Sequence, residues 1–204
     1  MTGFILLSIG FLFMPAKLTC RDIEDPAQCE DWVCSKPEEE WEEYEESVRV
    51  HSLLMEYGQY HCQYAGWAST YRAILFSGIL VGYVTFTHIS DNLGRRKAIL
   101  ATWGTNCLGL FLLVVSYKMS WACFGLFLAG AGCETSLRIS LAMINEVVDS
   151  SRRQNYSLLL QCCYCSAGLG VSVGYYTLIE WRSVTFLFCL VPSIAIMVIT
   201  ILYL

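Results

Sequence analysis

The stretch ISDNLGRRKAIL, residues 89–100, sets Arg95, Arg96 and Lys97 side by side between two long runs that carry no ionised side chain, 73–90 and 98–117. A hydrocarbon core of about 30 Å takes roughly 20 helical residues, because every backbone N–H and C=O has to find its partner within the segment. Two more uncharged runs, 154–179 and 183–204, are also long enough to cross. A further span begins at Met119 and contains Glu134 and Arg138 before the apolar pattern resumes at Ile139. These two charges lie four residues apart on one helical face, so they can pair and point inward instead of meeting lipid. The opening run, 2–16, is apolar but supplies only about 22 Å of helix. It reads as a short first span or as a cleaved leader, and the absence of Lys or Arg ahead of it speaks against the leader.

Cytoplasmic loops collect Lys and Arg, which fixes the orientation. Arg95 to Lys97 follow the second span and Arg152 and Arg153 the fourth, while the intervening loops hold only Lys118 and the triplet Glu180-Trp181-Arg182. The expected organisation is therefore a short helix over 2–16, an outside loop over 17–70 and helices over 71–90, 98–117, 119–146, 156–179 and 183–204. The turns 91–97 and 147–155 face the cytosol. With 55% hydrophobic and 15% charged residues in 204, the chain is expected to be an all-α, multi-pass membrane protein whose first partner is the lipid bilayer.

The outside loop differs chemically from the spans. From Arg21 to His61, thirteen acidic residues stand against three basic ones, a local balance of −10 in a chain of net charge −5. Such a run serves either as a solvated, repelling face or as a means of concentrating cations near an outer mouth. Four of the eleven cysteines fall in or beside it, Cys20, Cys29, Cys34 and Cys62. An even number in an oxidising compartment is consistent with two disulfides, with three connectivities open. A zinc site with His51 or His61 is the lesser alternative, because the spacing matches no compact finger. The cysteines of the spans, including Cys162, Cys163 and Cys165, read as small packing residues.

Asp91, Gly94, Arg95 and Arg96 resemble the signature that joins the second and third helices of the major facilitator superfamily. Gly94 suits a turn with positive φ, and Asp91 can meet a helix N-terminus. Glu146 followed by Arg152 and Arg153 is similar to the organic cation transporter-like branch, and the pair Trp181-Arg182 opening the last helix, with Pro192 within that helix, resembles sugar and organic-ion porters. The cysteine-bearing outside loop is similar to that of organic cation transporters. The resemblance implies the N-terminal six-helix half of a twelve-helix fold, short in its first helix and with a Cys-containing loop between helices one and two. It also implies a plasma-membrane location and a cytoplasmic turn that holds the outward-facing state. Thr87, Asn92 and Leu126 depart from the family pattern. A basic residue is usual where Leu126 stands and is tied to proton coupling, so its absence points to facilitated diffusion.

Glu134 and Arg138 are the candidate substrate-binding residues, Glu134 as the counter-charge of a cationic substrate and Arg138 as the group that positions it. The plainer alternative is a self-neutralising pair. Tyr164, Tyr175, Tyr176 and Trp103 are candidates for an aromatic cage around an organic cation, but the preferred reading of Tyr175, Tyr176, Trp121 and Trp181 is an aromatic belt at the outer surface. The function expected is alternating-access transport of small organic ions, leaning to cations. Six helices supply one wall of a substrate cavity, so the C-terminal half or a second copy is the expected partner. The alternative is a non-transporting membrane scaffold or subunit. No H-E-x-x-H, G-x-S-x-G or P-loop occurs, so catalysis is not expected, nor is a metal, a cofactor or a nucleic-acid partner.

Overall fold

The computed structural model describes residues 12–13, 52–53, 67–178 and 180–203. Apart from those first four residues, the expected first helix and the acidic stretch lie outside the described residues, as do Cys20, Cys29, Cys34 and Cys62.

Within them the secondary structure is helical. Helix α1 runs Trp67–Leu93, α2 Arg95–Val115, α3 Met119–Val147 and α4 Ser150–Leu178. The last span is composite: α5, Trp181–Val184, continues through a π-helical stretch, Thr185–Leu190, into α6, Val191–Tyr203. Four of these segments are long and apolar enough to cross a membrane, Ser69–Leu93, Arg95–Val115, Met119–Val147 and Trp181–Leu202. Helix α4, at 29 residues, is about 43 Å long.

The helices outrun the charge-free runs. Gly94 alone separates α1 from α2, and α4 begins at Ser150 and takes up Arg152 and Arg153. A span needs charge-free residues only where hydrocarbon surrounds it, and the backbone ladder continues into the headgroup zone. Gly94 makes the reversal with φ of +93°, a backbone conformation open to glycine and strained for residues with a Cβ. The π-helical stretch has a local cause in Pro192, which has no N–H and whose ring crowds the carbonyl one turn back. The ladder widens there, with Val191 N–H bonding the Phe186 carbonyl, and the Ser193 hydroxyl donates to the Cys189 carbonyl at 2.6 Å.

Helix α3 is the central helix, packed along α1 on one side and α2 on the other. Its small residues permit the approach: a methyl group on Gly82 of α1 would collide with the Ala131 backbone, and one on Gly109 of α2 with the backbone of Gly125 and Ala129. In lipid, where burial of apolar surface drives little, such backbone proximity supplies dispersion contacts that hold helices together. Apolar clusters succeed one another along the bundle. Tyr71, Leu75, Leu113, Leu126, Tyr175 and Trp181 belong to the cluster at the end reached by the α2–α3 link, where Phe13 stacks on Tyr71 at 6.2 Å. Leu110, Ala129, Cys133 and Cys189 form a second, and Ala98, Trp103 and Ile139 a third toward the Gly94 turn. Leu80, Val84, Leu108, Phe111 and Trp121 face outward, as apolar side chains of a span do.

Two of the aromatics expected in an interfacial belt lie elsewhere. Tyr175 and Trp181 are buried in the bundle, because α4 and α5 meet there, whereas Tyr176 and Trp121 are exposed. Trp103 is also buried, in the cluster near the Gly94 turn.

Candidate functional site: an intramembrane ion pair and two end clamps

The Gly94 turn brings the signature residues to one guanidinium. Arg95 begins α2 one turn after Asp91, and its Nη1 donates to the Asp91 carboxylate at 3.1 Å and to the Ser90 hydroxyl at 2.7 Å. The other edge reaches across to the end of α3, where Nη2 donates to Glu146 Oε1 at 2.7 Å and Nε to Oε2 at 3.4 Å. Two carboxylates from two helices therefore share one planar fork, an arrangement that lysine could not reproduce. Asp91 meets the Arg95 side chain at the start of α2, and no side chain makes a capping hydrogen bond there. The neighbours Arg96, Arg152 and Arg153 are exposed and form no ion pair among the described residues. His88 pairs locally with Asn92 at 3.0 Å.

Side-chain exposure sets the strength of this clamp. Arg95 is 31% exposed and Glu146 52%, so water and salt screen the pair. Removing it with Glu146→Gln is expected to lower the melting temperature slightly, and less so in high salt. A double-mutant cycle with Arg95→Gln, read by thermal melting in low and high salt, checks the coupling and its salt dependence.

At the opposite end Arg182 makes a second clamp. It donates to the Val114 carbonyl at 2.7 Å and to the Ser116 carbonyl at 2.5 Å, at the C-terminus of α2. Its guanidinium carbon lies 5.2 Å from the centre of the Tyr117 ring and 5.3 Å from that of Trp181. A cation over the last carbonyls of a helix meets the negative end of its dipole, and the ring faces add attraction.

Between the clamps lies the pair expected from spacing. Arg138 Nη2 donates to Glu134 Oε1 at 3.2 Å, and Arg138 Nε donates to the hydroxyl of Tyr83 on α1 at 3.0 Å. Tyr83 was not singled out by spacing or charge. Its neighbour Gly82, which brings α1 onto α3, is the signal that points to it. The two charges are unequally placed: the Arg138 side chain is 60% exposed and that of Glu134 13%. Glu134 Oε2 is buried and without a hydrogen-bond partner among the described residues. The guanidinium is the group offered outward, and the carboxylate stands behind it. Groups of three or more metal-ligating side chains are absent among the described residues.

No curated protein matches the chain significantly. The profile described as Major Facilitator Superfamily matches residues 53–204, which takes in both clamps and the intramembrane pair. With three quarters of its length matched and its described residues folded as packed, membrane-crossing helices, the chain belongs to the major facilitator superfamily, a family of transporters rather than enzymes.

Proposed function

We propose that the chain moves small organic ions across the plasma membrane by alternating access, acting with a second six-helix unit that supplies the facing wall of the cavity. The observation that carries this reading is the Glu134–Arg138 pair. Ionisable side chains within a span are costly, and those present normally face a cavity, a pathway or each other. Here the pair is only half hidden, since Arg138 remains 60% exposed on a helix whose other sides are packed against α1 and α2. A guanidinium left this exposed within a span calls for water or a ligand on that face.

In this reading the Arg95 clamp latches the cytoplasmic ends of α1, α2 and α3 in one state and opens in the other. The likeness to organic cation transporters rests on the Glu146-to-Arg153 pattern, and on an acidic, cysteine-bearing segment that would hold disulfides in an outside loop. Of the two features that lean the sequence toward cations, Glu134 stands behind Arg138. The acidic segment remains as their support.

Reconstitution tests the proposal. Proteoliposomes containing the full chain are expected to take up labelled benzoate or tetraethylammonium faster than empty liposomes, with saturation. Uptake equal to empty liposomes for both ions would overturn it in favour of a non-transporting scaffold.

A further inference from the structure

We infer that the group bound at the intramembrane pair is an anion, a carboxylate or phosphate held by the outer edge of the Arg138 guanidinium, with Tyr83 as the residue that positions this edge. The inference rests on reading the pair as the ion site of a transporter.

A guanidinium has five N–H donors in a fixed plane. In Arg138 the Nε–H is taken by Tyr83 and one Nη2–H by Glu134, which anchors one side of the plane to α1 and α3. The Nη1 amino group and the second Nη2 hydrogen have no partner among the described residues, and they form the end-on edge that a carboxylate or phosphate takes with two parallel hydrogen bonds. Held on its other side, this edge is already oriented before a ligand arrives, which lowers the ordering cost of binding.

The sign of the ligand follows from which charge is nearer. Coulomb energy falls with distance, and the low-dielectric surroundings of a span magnify the difference between near and far. An ion approaching from the exposed side meets Arg138 first, with Glu134 on the far side of the guanidinium and mostly covered. An anion there gains more from Arg138 than it loses to Glu134. A cation meets the reverse, and it cannot reach Glu134 Oε2, which is buried. The carboxylate thus keeps Arg138 in place and lowers the net charge of the empty site, while the ligand contacts the arginine.

Equilibrium binding to the full chain in detergent, with labelled benzoate, succinate and phosphate against labelled tetraethylammonium, tests the inference without requiring transport. Wild type is expected to bind at least one of the three anions in preference to tetraethylammonium. Arg138→Gln should weaken that binding by at least about tenfold, the loss of a charge-assisted pair. Arg138→Lys should fall between, because it keeps the charge and loses the fork. Tyr83→Phe should lower the ratio of anion to cation binding by about threefold, because the guanidinium plane is then held on the Glu134 side alone, an effect on selectivity that loss of folded protein would not mimic. Glu134→Gln is the sharpest variant, since anion binding should hold or strengthen, whereas a cation site would lose its ligand. Tetraethylammonium binding that is lost in Glu134→Gln, or failure of all three anions to bind wild type, would overturn the inference. Anion binding without uptake would sink the transport proposal alone, and uptake indifferent to Arg138 would sink this inference alone.

Discussion

Replacing Gly109 with valine is expected to leave little correctly folded protein, as should Gly82→Val. At both positions a side chain would run into backbone, Gly125 and Ala129 in the first case and Ala131 in the second, so no rotamer change can relieve the contact. Overpacking of a well-filled core costs about 1–3 kcal/mol and occasionally more. A collision with backbone belongs at the upper end, because α3 has to move as a whole. Separating α1 from α3 would also pull the Tyr83 hydroxyl away from Arg138, linking the packing defect to the ion site. Gly104 supplies the control: nothing lies within 4 Å of a methyl group placed there. Gly104→Ala should hold or raise stability, by up to about 1 kcal/mol from helix propensity. Thermal melting followed by size-exclusion chromatography separates the cases, and a Gly109→Val protein as stable as Gly104→Ala would contradict the packing described.

Arg182→Ala should have the second largest effect, a loss of about 3 kcal/mol. Hydrogen bonds from a charged donor contribute about 1.5–3 kcal/mol each, and Arg182 makes two, to the Val114 and Ser116 carbonyls, besides facing Tyr117 and Trp181. Partial exposure trims the sum. Arg182→Lys should recover less than half, because an ammonium group has no planar fork to match the spacing of two carbonyls. Thermal melting of the three proteins checks this order, and equal stability of the alanine and lysine variants would show that the fork is unimportant.

What the sequence discloses here follows the range of its periodicities. Uncharged runs of span length disclosed an all-α, multi-pass protein, and spacing by four disclosed the contact of Glu134 with Arg138, because residues four apart share a helical face. The contacts between helices were not legible. Arg95 with Glu146, Arg138 with Tyr83 and Arg182 with Val114 join residues 51, 55 and 68 positions apart. They depend on how each helix is rotated about its own axis. In a soluble helix the apolar stripe sets that rotation, but a span is apolar all round and its stripe says little. The small residues carry the information instead, since Gly82 and Gly109 mark where backbones meet. The same limit explains Tyr175 and Trp181, whose aromatic character fits an interface or a core equally until the helix end is placed. Likewise Pro192, read in the sequence only as part of a family pattern, did not say that the ladder would widen to a π-helical stretch ahead of it.

The exposed Arg138 charge within the α3 span is the feature on which the functional account turns. If the Arg138 face lined lipid, the guanidinium would carry a large penalty for its position in the span. If it lines an aqueous cavity, the penalty vanishes and a ligand can reach it. A charged, membrane-impermeant thiosulfonate reacts only where water brings it to a thiolate. Applied to open membrane fragments containing Arg138→Cys, with wild type as the blank for the native cysteines and Leu80→Cys as an outward-facing apolar control, it measures the difference directly. The account predicts modification at position 138 well above the blank and none above it at position 80. Position 138 as unreactive as position 80 would contradict it.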